Sequence, residues 1–161
     1  MTNEKQIPII YRFLPIQSVS ELNRKEHWTV SSKRHKMQQK AVTLLMPKSG
    51  YPNPCLVVLT RCGGRLLDTH DNLPASQKWC VDRLSQIIVD SWDGKKPPIM
   101  PIGAIKQPKR LSGREDDDPR IEWRYEQNTQ KPIGVLIEIF PRDILDSKTQ
   151  KEETTANKTE G

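Results

Sequence analysis

Apolar residues recur along the chain with two different periods, and the switches between them mark out six elements. Residues 6–14, QIPIIYRFL, are β-branched and apolar and predict a first strand starting at or just after Pro8. A polar connection over 15–33 ends in TVSS, where Thr29 to Ser32 offer helix-capping hydroxyls. Met37, Ala41, Leu44 and Leu45 follow at i, i+4, i+7 and i+8, the spacing of one buried helix face. PKSGYPNP closes that helix with turn chemistry, and CLVVLTR, 55–61, predicts a strand that Gly63 and Gly64 break.

A second helix is predicted from about Asn72 or Leu73, with Pro74 in its first turn, where a missing N–H is tolerated. Its apolar face is Cys80 or Val81, Leu84, Ile87 and Ile88, and it ends near Trp92 and Gly94. RIEWRYEQ, 120–127, alternates like a half-buried strand, and GVLIEIFP, 134–141, reads as another. The turn residues NTQKP between them predict an antiparallel hairpin. The order strand-helix-strand-helix-strand-strand implies an α/β (α+β) fold, a mixed sheet of about four strands with two main helices packed on it.

Residues 1–146 read as a single domain and 147–161 as a polar, disordered tail. Within the domain, 94–114 stands out. Its first part, GKKPPIMPIGAIKQPKR, holds four prolines and five positive charges with no negative one, and predicts a long irregular loop of functional use.

Charge narrows the partners. A net charge of +6 over 161 residues favours anionic partners, of which nucleic acid is the commonest large one. Residues 21–48 carry seven positive and two negative side chains, and Lys33, Arg34, Lys36 and Lys40 sit on the first helix. With Lys95, Lys96, Lys109 and Arg110 of the loop, they are the candidate DNA-binding residues; a solvated helix face is the plainer alternative. No apolar run approaches the ~20 residues of a membrane helix. Three cysteines, with no signal-peptide pattern, imply a reducing compartment, the cytosol. Cys55, Cys62, His70 and Cys80 lack zinc-site spacing, and Gly63-Gly64 lacks the Gly-Lys-Ser/Thr ending of a phosphate loop.

The chemistry concentrates in two acidic groups. Asp68 and Asp71 stand at a strand-to-helix junction, and Asp116, Asp117 and Asp118 at a loop-to-strand junction. Converging carboxylates repel one another unless a divalent cation sits among them, and Mg²⁺ prefers such oxygen ligands together with substrate phosphates. A basic surface to hold phosphates and one acidic cluster to hold a metal would make a phosphodiester-cleaving site. The alternatives are an Asp71 that caps the helix, an REDDDPR that is a solvated acidic turn, and a Lys78 that is a surface lysine.

The motif Asp71-Asn72-Leu73, the run QKWCVDRL with Gln77, Lys78, Asp82 and Leu84, and DDPRI with Asp117 and Asp118 resemble the RusA family of Holliday-junction resolvases, carried mostly by bacteriophages and prophages. The likeness spans residues 8–141. Two features depart from the family pattern: Asp68 and Asp71 are three apart where the family has Asp-x-Asp, and Pro74 to Ser76 are inserted before Gln77. The resemblance implies a homodimeric, structure-selective endodeoxyribonuclease that nicks opposed strands of a four-way DNA junction in recombination and repair, in the host cytosol. It implies Mg²⁺, or Mn²⁺, as the cofactor and branched DNA, not a small molecule, as the substrate. It assigns catalysis to Asp68, Asp71, Lys78 and Asp118, and metal binding to Asp68, Asp71, Asp117 and Asp118. The competing expectation is a non-catalytic nucleic-acid-binding protein with the same fold.

Overall fold

In the structure, a computed structural model that describes residues 6–20, 25–94 and 117–142, the six elements follow the predicted order. They are β1 (Ile10–Leu14), α1 (Trp28–Leu45), β2 (Cys55–Cys62), α2 (Asn72–Asp93), β3 (Ile121–Asn128) and β4 (Gly134–Pro141). The fold is α+β, with one mixed four-stranded sheet in the order β1-β4-β2-β3. β4 runs antiparallel to both β1 and β2, whereas β2 and β3 are parallel.

The expected hairpin between the last two strands does not form: β3 and β4 lie on opposite sides of β2. Apolar content explains the placement. β2 and β4, CLVVLTRC and GVLIEIFP, are the most apolar and take the centre, where both edges are paired. β3, IEWRYEQN, carries exposed Glu122, Arg124 and Glu126 on alternate positions and is suited to the edge.

Both helices cover the same sheet face. Cys55, Val57 and Leu59, with Val135, Ile137 and Ile139, point into a core completed by Val42, Leu84 and Ile88. The helices run parallel. Ser20, ahead of α1, hydrogen-bonds Asn72 at the start of α2; Arg83 Nε donates to Thr43 Oγ1 at 2.7 Å; and Trp92 Nε1 reaches the Tyr51 carbonyl just after α1. Both therefore begin at the Cys62 end of β2 and finish at its Cys55 end. β4 enters the sheet at a point of close approach: a Cβ on Gly134 would strike the Leu14 carbonyl oxygen and the Phe13 ring.

α2 buries the face its sequence predicts, but α1 does not. Its buried residues are Gln38 and Val42, while Met37 and Leu44 are each 73% exposed. Its cap is also displaced, to His27, whose ring accepts from Thr29 N. The larger apolar residues of α1 lie on a flank that neither the sheet nor α2 covers. Leu84→Ala should therefore cost about 2–5 kcal/mol in urea unfolding, as expected for a filled core site. Leu44→Ala should stay within about 0.5 kcal/mol. Similar costs for the two would place Leu44 in the core after all.

Candidate functional site

After β2 the chain turns tightly over Arg61. A Cβ on Gly63 would lie 2.7 Å from the Arg61 Nη1, so only glycine passes without displacing the guanidinium. Arg61 itself is buried, donating to the carbonyls of Ser18 and Arg65, and burial lowers its pKa from the ordinary arginine value. Leu67 is then fastened to the far end of β3 by two bonds with the Gln127 amide, 2.9 and 2.7 Å. This clasp fixes where Asp68 and the start of α2 can lie.

Asp68 forms a local turn: its Oδ1 accepts from His70 N at 2.8 Å and its carbonyl accepts from Leu73 N. Asp71 occupies the N-cap of α2, yet its side chain makes no capping hydrogen bond. The helix-capping reading of Asp71 is thus not what its carboxylate does. Asp68, His70 and Asp71 are all exposed, and the positive end of the α2 dipole stands beside them. Lys78 is 66% exposed and its Nζ lies 2.9 Å from Asp82 Oδ1, one turn on. Gln77, its neighbour in the motif, is fully buried and is turned into the protein instead of toward a ligand.

At the other end of the sheet, Asp118 is held firmly. Arg120 donates its backbone N–H and Nε to Oδ1, both at 3.0 Å, and Nη2 to Oδ2 at 2.7 Å. These bonds hold the Asp118 carboxyl below the usual carboxylate range, Arg120 being the leading cause. The same guanidinium lies over the Trp92 ring, 4.8 Å from its centroid, and 3.6 Å from Asp93 Oδ1. Arg120 therefore ties the start of β3 to the end of α2. Asp117 is exposed beside it; Asp116 lies outside the described residues.

The two acidic groups do not meet within one chain. The parallel register pairs Cys55 with Ile121 and Cys62 with Asn128. Asp118, just before β3, is thus at the Cys55 end, and Asp68, just after β2, is at the Cys62 end. Eight strand residues separate the ends by ~26 Å. Among the described residues no three His, Cys, Asp or Glu side chains are placed to share a metal ion. Convergence would need the strand-to-helix and loop-to-strand junctions at one end of the sheet, and parallel neighbours put them at opposite ends.

The basic residues of α1 differ among themselves. Lys33, Lys36 and Lys40 are exposed along α1. Arg34 is half-buried and forked onto Glu26, Nη1 to Oε1 at 3.1 Å and Nη2 to Oε2 at 2.8 Å, so its guanidinium braces the start of α1. Lys95, Lys96, Lys109 and Arg110 lie outside the described residues. Trp92, Trp123 and Tyr125 are partly buried against the core. Cys55 and Cys80 thiols are both pushed up to about 12, chiefly by burial, and stay protonated. Sequence reasoning missed Arg120, although an arginine two residues beyond an aspartate, across a proline turn, is spaced to fold back on it.

No family model, curated protein or solved structure matches this chain. No helix among the described residues is long and apolar enough to cross a membrane.

The Asp118 anchor has a pH signature. Its folded pKa lies below the unfolded value of about 3.9, so the stability it contributes is present above that value and is lost as pH falls through the folded one. Asp118→Asn should cost on the order of 1 kcal/mol in urea unfolding at pH 7. The gap to wild type should shrink steadily below about pH 4. A gap that is unchanged at pH 3 would mean that the carboxylate's charge is not what holds Arg120.

Proposed function

We propose that this protein is a metal-dependent, structure-selective endodeoxyribonuclease of the RusA type, acting on four-way DNA junctions in a bacterial cytosol as a homodimer whose two chains complete each active site together. The observation that carries this reading is the placement of exposed Asp68, Asp71 and Lys78 at the start of α2 and of Asp117 and Asp118 beside its end. A two-fold axis perpendicular to α2, on its β3 flank, sets the start of one helix against the end of the other. Asp68 and Asp71 of one chain then face Asp117 of the partner subunit, with Asp118 of the partner subunit next to it. What one chain keeps at opposite ends of its 22-residue α2, two chains would bring together twice.

Such a set offers hard carboxylate oxygens, the donors Mg²⁺ and Mn²⁺ favour. A divalent ion bound there would polarise the scissile phosphate and lower the pKa of the attacking water. Asp118 would join the ligands by exchanging Arg120 for the ion, which leaves that guanidinium close to a DNA phosphate. Lys78, held in place by Asp82, would neutralise charge developing on the phosphate. Lys33, Lys36 and Lys40 would contact the backbone of the junction arms without reading sequence. Two equal sites related by a two-fold axis suit paired nicks in opposed strands.

The rival is a DNA-binding protein of the same fold without catalysis. The triple engagement of Asp118 by Arg120 favours it, since that carboxylate already has a structural use.

Mixing experiments separate these readings. Wild type should nick a labelled four-way junction with Mg²⁺ and not with EDTA. Asp71→Asn, and the double variant Asp117→Asn/Asp118→Asn, should each abolish nicking while binding the junction at least as tightly, because removing negative charge favours phosphate. Mixed and allowed to exchange, the two inactive variants should recover nicking, because every heterodimer keeps one site with all its carboxylates. Sites built within single chains would give no recovery. Junction binding by wild type without metal-dependent nicking would establish the rival.

Lys78→Ala offers a second check. It should slow nicking roughly 100- to 1000-fold, as loss of other charge-stabilising donors does, with junction affinity nearly intact. Cleavage at the wild-type rate would reduce Lys78 to a surface partner of Asp82.

A further inference from the structure

Three of the four tryptophans are used by the fold. Trp79 is buried and its Nε1 donates to the Ser76 carbonyl, while Trp92 and Trp123 pack against the core. Trp28 is different. It is 72% exposed, although tryptophan is highly buried on average. It is the first residue of α1. The His27 ring, which caps the helix by accepting from Thr29 N, lies beside the indole, with 5.9 Å between centroids and 34° between planes.

The place of this indole follows from the helix pairing. Thr43 meets α2 through the Arg83 bond, and at about 100° per residue Trp28 lies within about 60° of Thr43 around α1. Along the axes, Trp28 stands about 22 Å before Thr43, and Asp71 about 18 Å before Arg83. The helices are parallel, so Trp28 and Asp71 come to about the same level, on neighbouring helices whose axes typically lie about 8–10 Å apart. The exposed indole and the exposed Asp68 and Asp71 therefore share one end of the molecule.

The surroundings select the partner. Next along the same flank of α1 are Ser32, Lys36 and Gln39, all polar, so no apolar patch surrounds the indole for a protein partner to bury. Exposed Lys36 and Lys40, within about 60° of Thr43, continue that flank as a cationic track. A flat aromatic face at the end of a cationic track suits a nucleobase on a phosphate backbone. A continuous duplex offers no free base face, whereas bases beside a branch point are unstacked at lower cost. Stacking also tolerates any base, because every base has a π-face.

We propose that Trp28 is a specificity-determining residue, whose indole stacks on a base beside the branch point of the DNA junction, next to the phosphate addressed by Asp68 and Asp71. This inference rests on the nuclease reading above and adds to it the group that tells a junction from a duplex.

The test uses the full chain, a labelled four-way junction and a linear duplex of the same arm sequence, with affinities measured in EDTA and nicking measured in Mg²⁺. Trp28→Ala should weaken junction binding roughly 5- to 100-fold, the range for loss of one base–aromatic stack. Duplex binding should stay unchanged, and Trp28→Phe should restore most of the junction affinity. Junctions carrying one abasic nucleotide beside the branch point supply the partner half of the cycle. At one of these positions wild type should weaken by a similar factor and Trp28→Ala should weaken no further. Matched thermal melts check folding. If wild type nicks the junction with Mg²⁺ but Trp28→Ala keeps the same junction-to-duplex ratio, the stacking role is overturned and the nuclease reading stands. If wild type does not nick, yet Trp28→Ala loses the junction preference, the stacking role is supported and the nuclease reading falls. Equal weakening on junction and duplex overturns the proposal, as does a wild type with no junction preference. A mass by light scattering that falls in Trp28→Ala also overturns it, because the indole would then be a contact between subunits.

Discussion

β2 and β3 run side by side in the same direction, and the position of nearly every chemically interesting residue follows from that pairing. Parallel neighbours cannot be joined by a short turn; the chain must cross the length of the sheet to begin the second strand at the right end. α2 makes that crossing. The carboxylates that precede α2 and those that follow the crossing are thereby set apart by the length of the sheet. Antiparallel pairing of the same two segments would have put them side by side.

Two polar clasps keep this arrangement in register, one at each end. The Gln127 amide exchanges two hydrogen bonds with Leu67 and holds the entrance of α2 to the exit of β3. Arg120 gathers Asp118, Asp93 and the Trp92 ring and holds the exit of α2 to the entrance of β3. An arginine suits the second clasp because its planar fork satisfies a carboxylate with two parallel bonds while its face stacks on an aromatic ring. The candidate chemistry grows from these same clasps. Asp68 lies one residue beyond Leu67, and Asp118 is itself a member of the Arg120 cluster. The structural and the proposed catalytic uses of these side chains would therefore be coupled, and a change at Arg120 would be felt in both.

α1 follows a different logic. It buries Gln38 and Val42 and leaves Met37 and Leu44 in water, and the buried Gln38 amide has no hydrogen-bond partner among the described residues. A helix that turned its largest apolar residues inward would gain more from burial alone. In the orientation it takes, Thr43 meets α2 through the Arg83 bond, and the Arg34–Glu26 fork braces the helix start locally.

Local signals in the chain determined a good deal. The strands at Cys55 and Gly134, the span and inward face of α2, the place of Pro74 in its first turn and the alternation of β3 are all written in neighbouring residues, because hydrophobic period and turn chemistry act over a few positions. The exposed carboxylates at the start of α2 and the basic character of α1 were legible for the same reason. What the tertiary structure alone decided is relational. The sequence contains no mark saying that β4 would take the far side of β2, or that Asp118 would lie a sheet's length from Asp68. Nor does it say that the apolar row of α1 would face out. Strand order is a competition among segments for the fully covered centre of the sheet, and helix rotation is a competition among packing contacts. Both are settled by the summed burial and hydrogen bonding of the whole chain, to which no single segment holds the key.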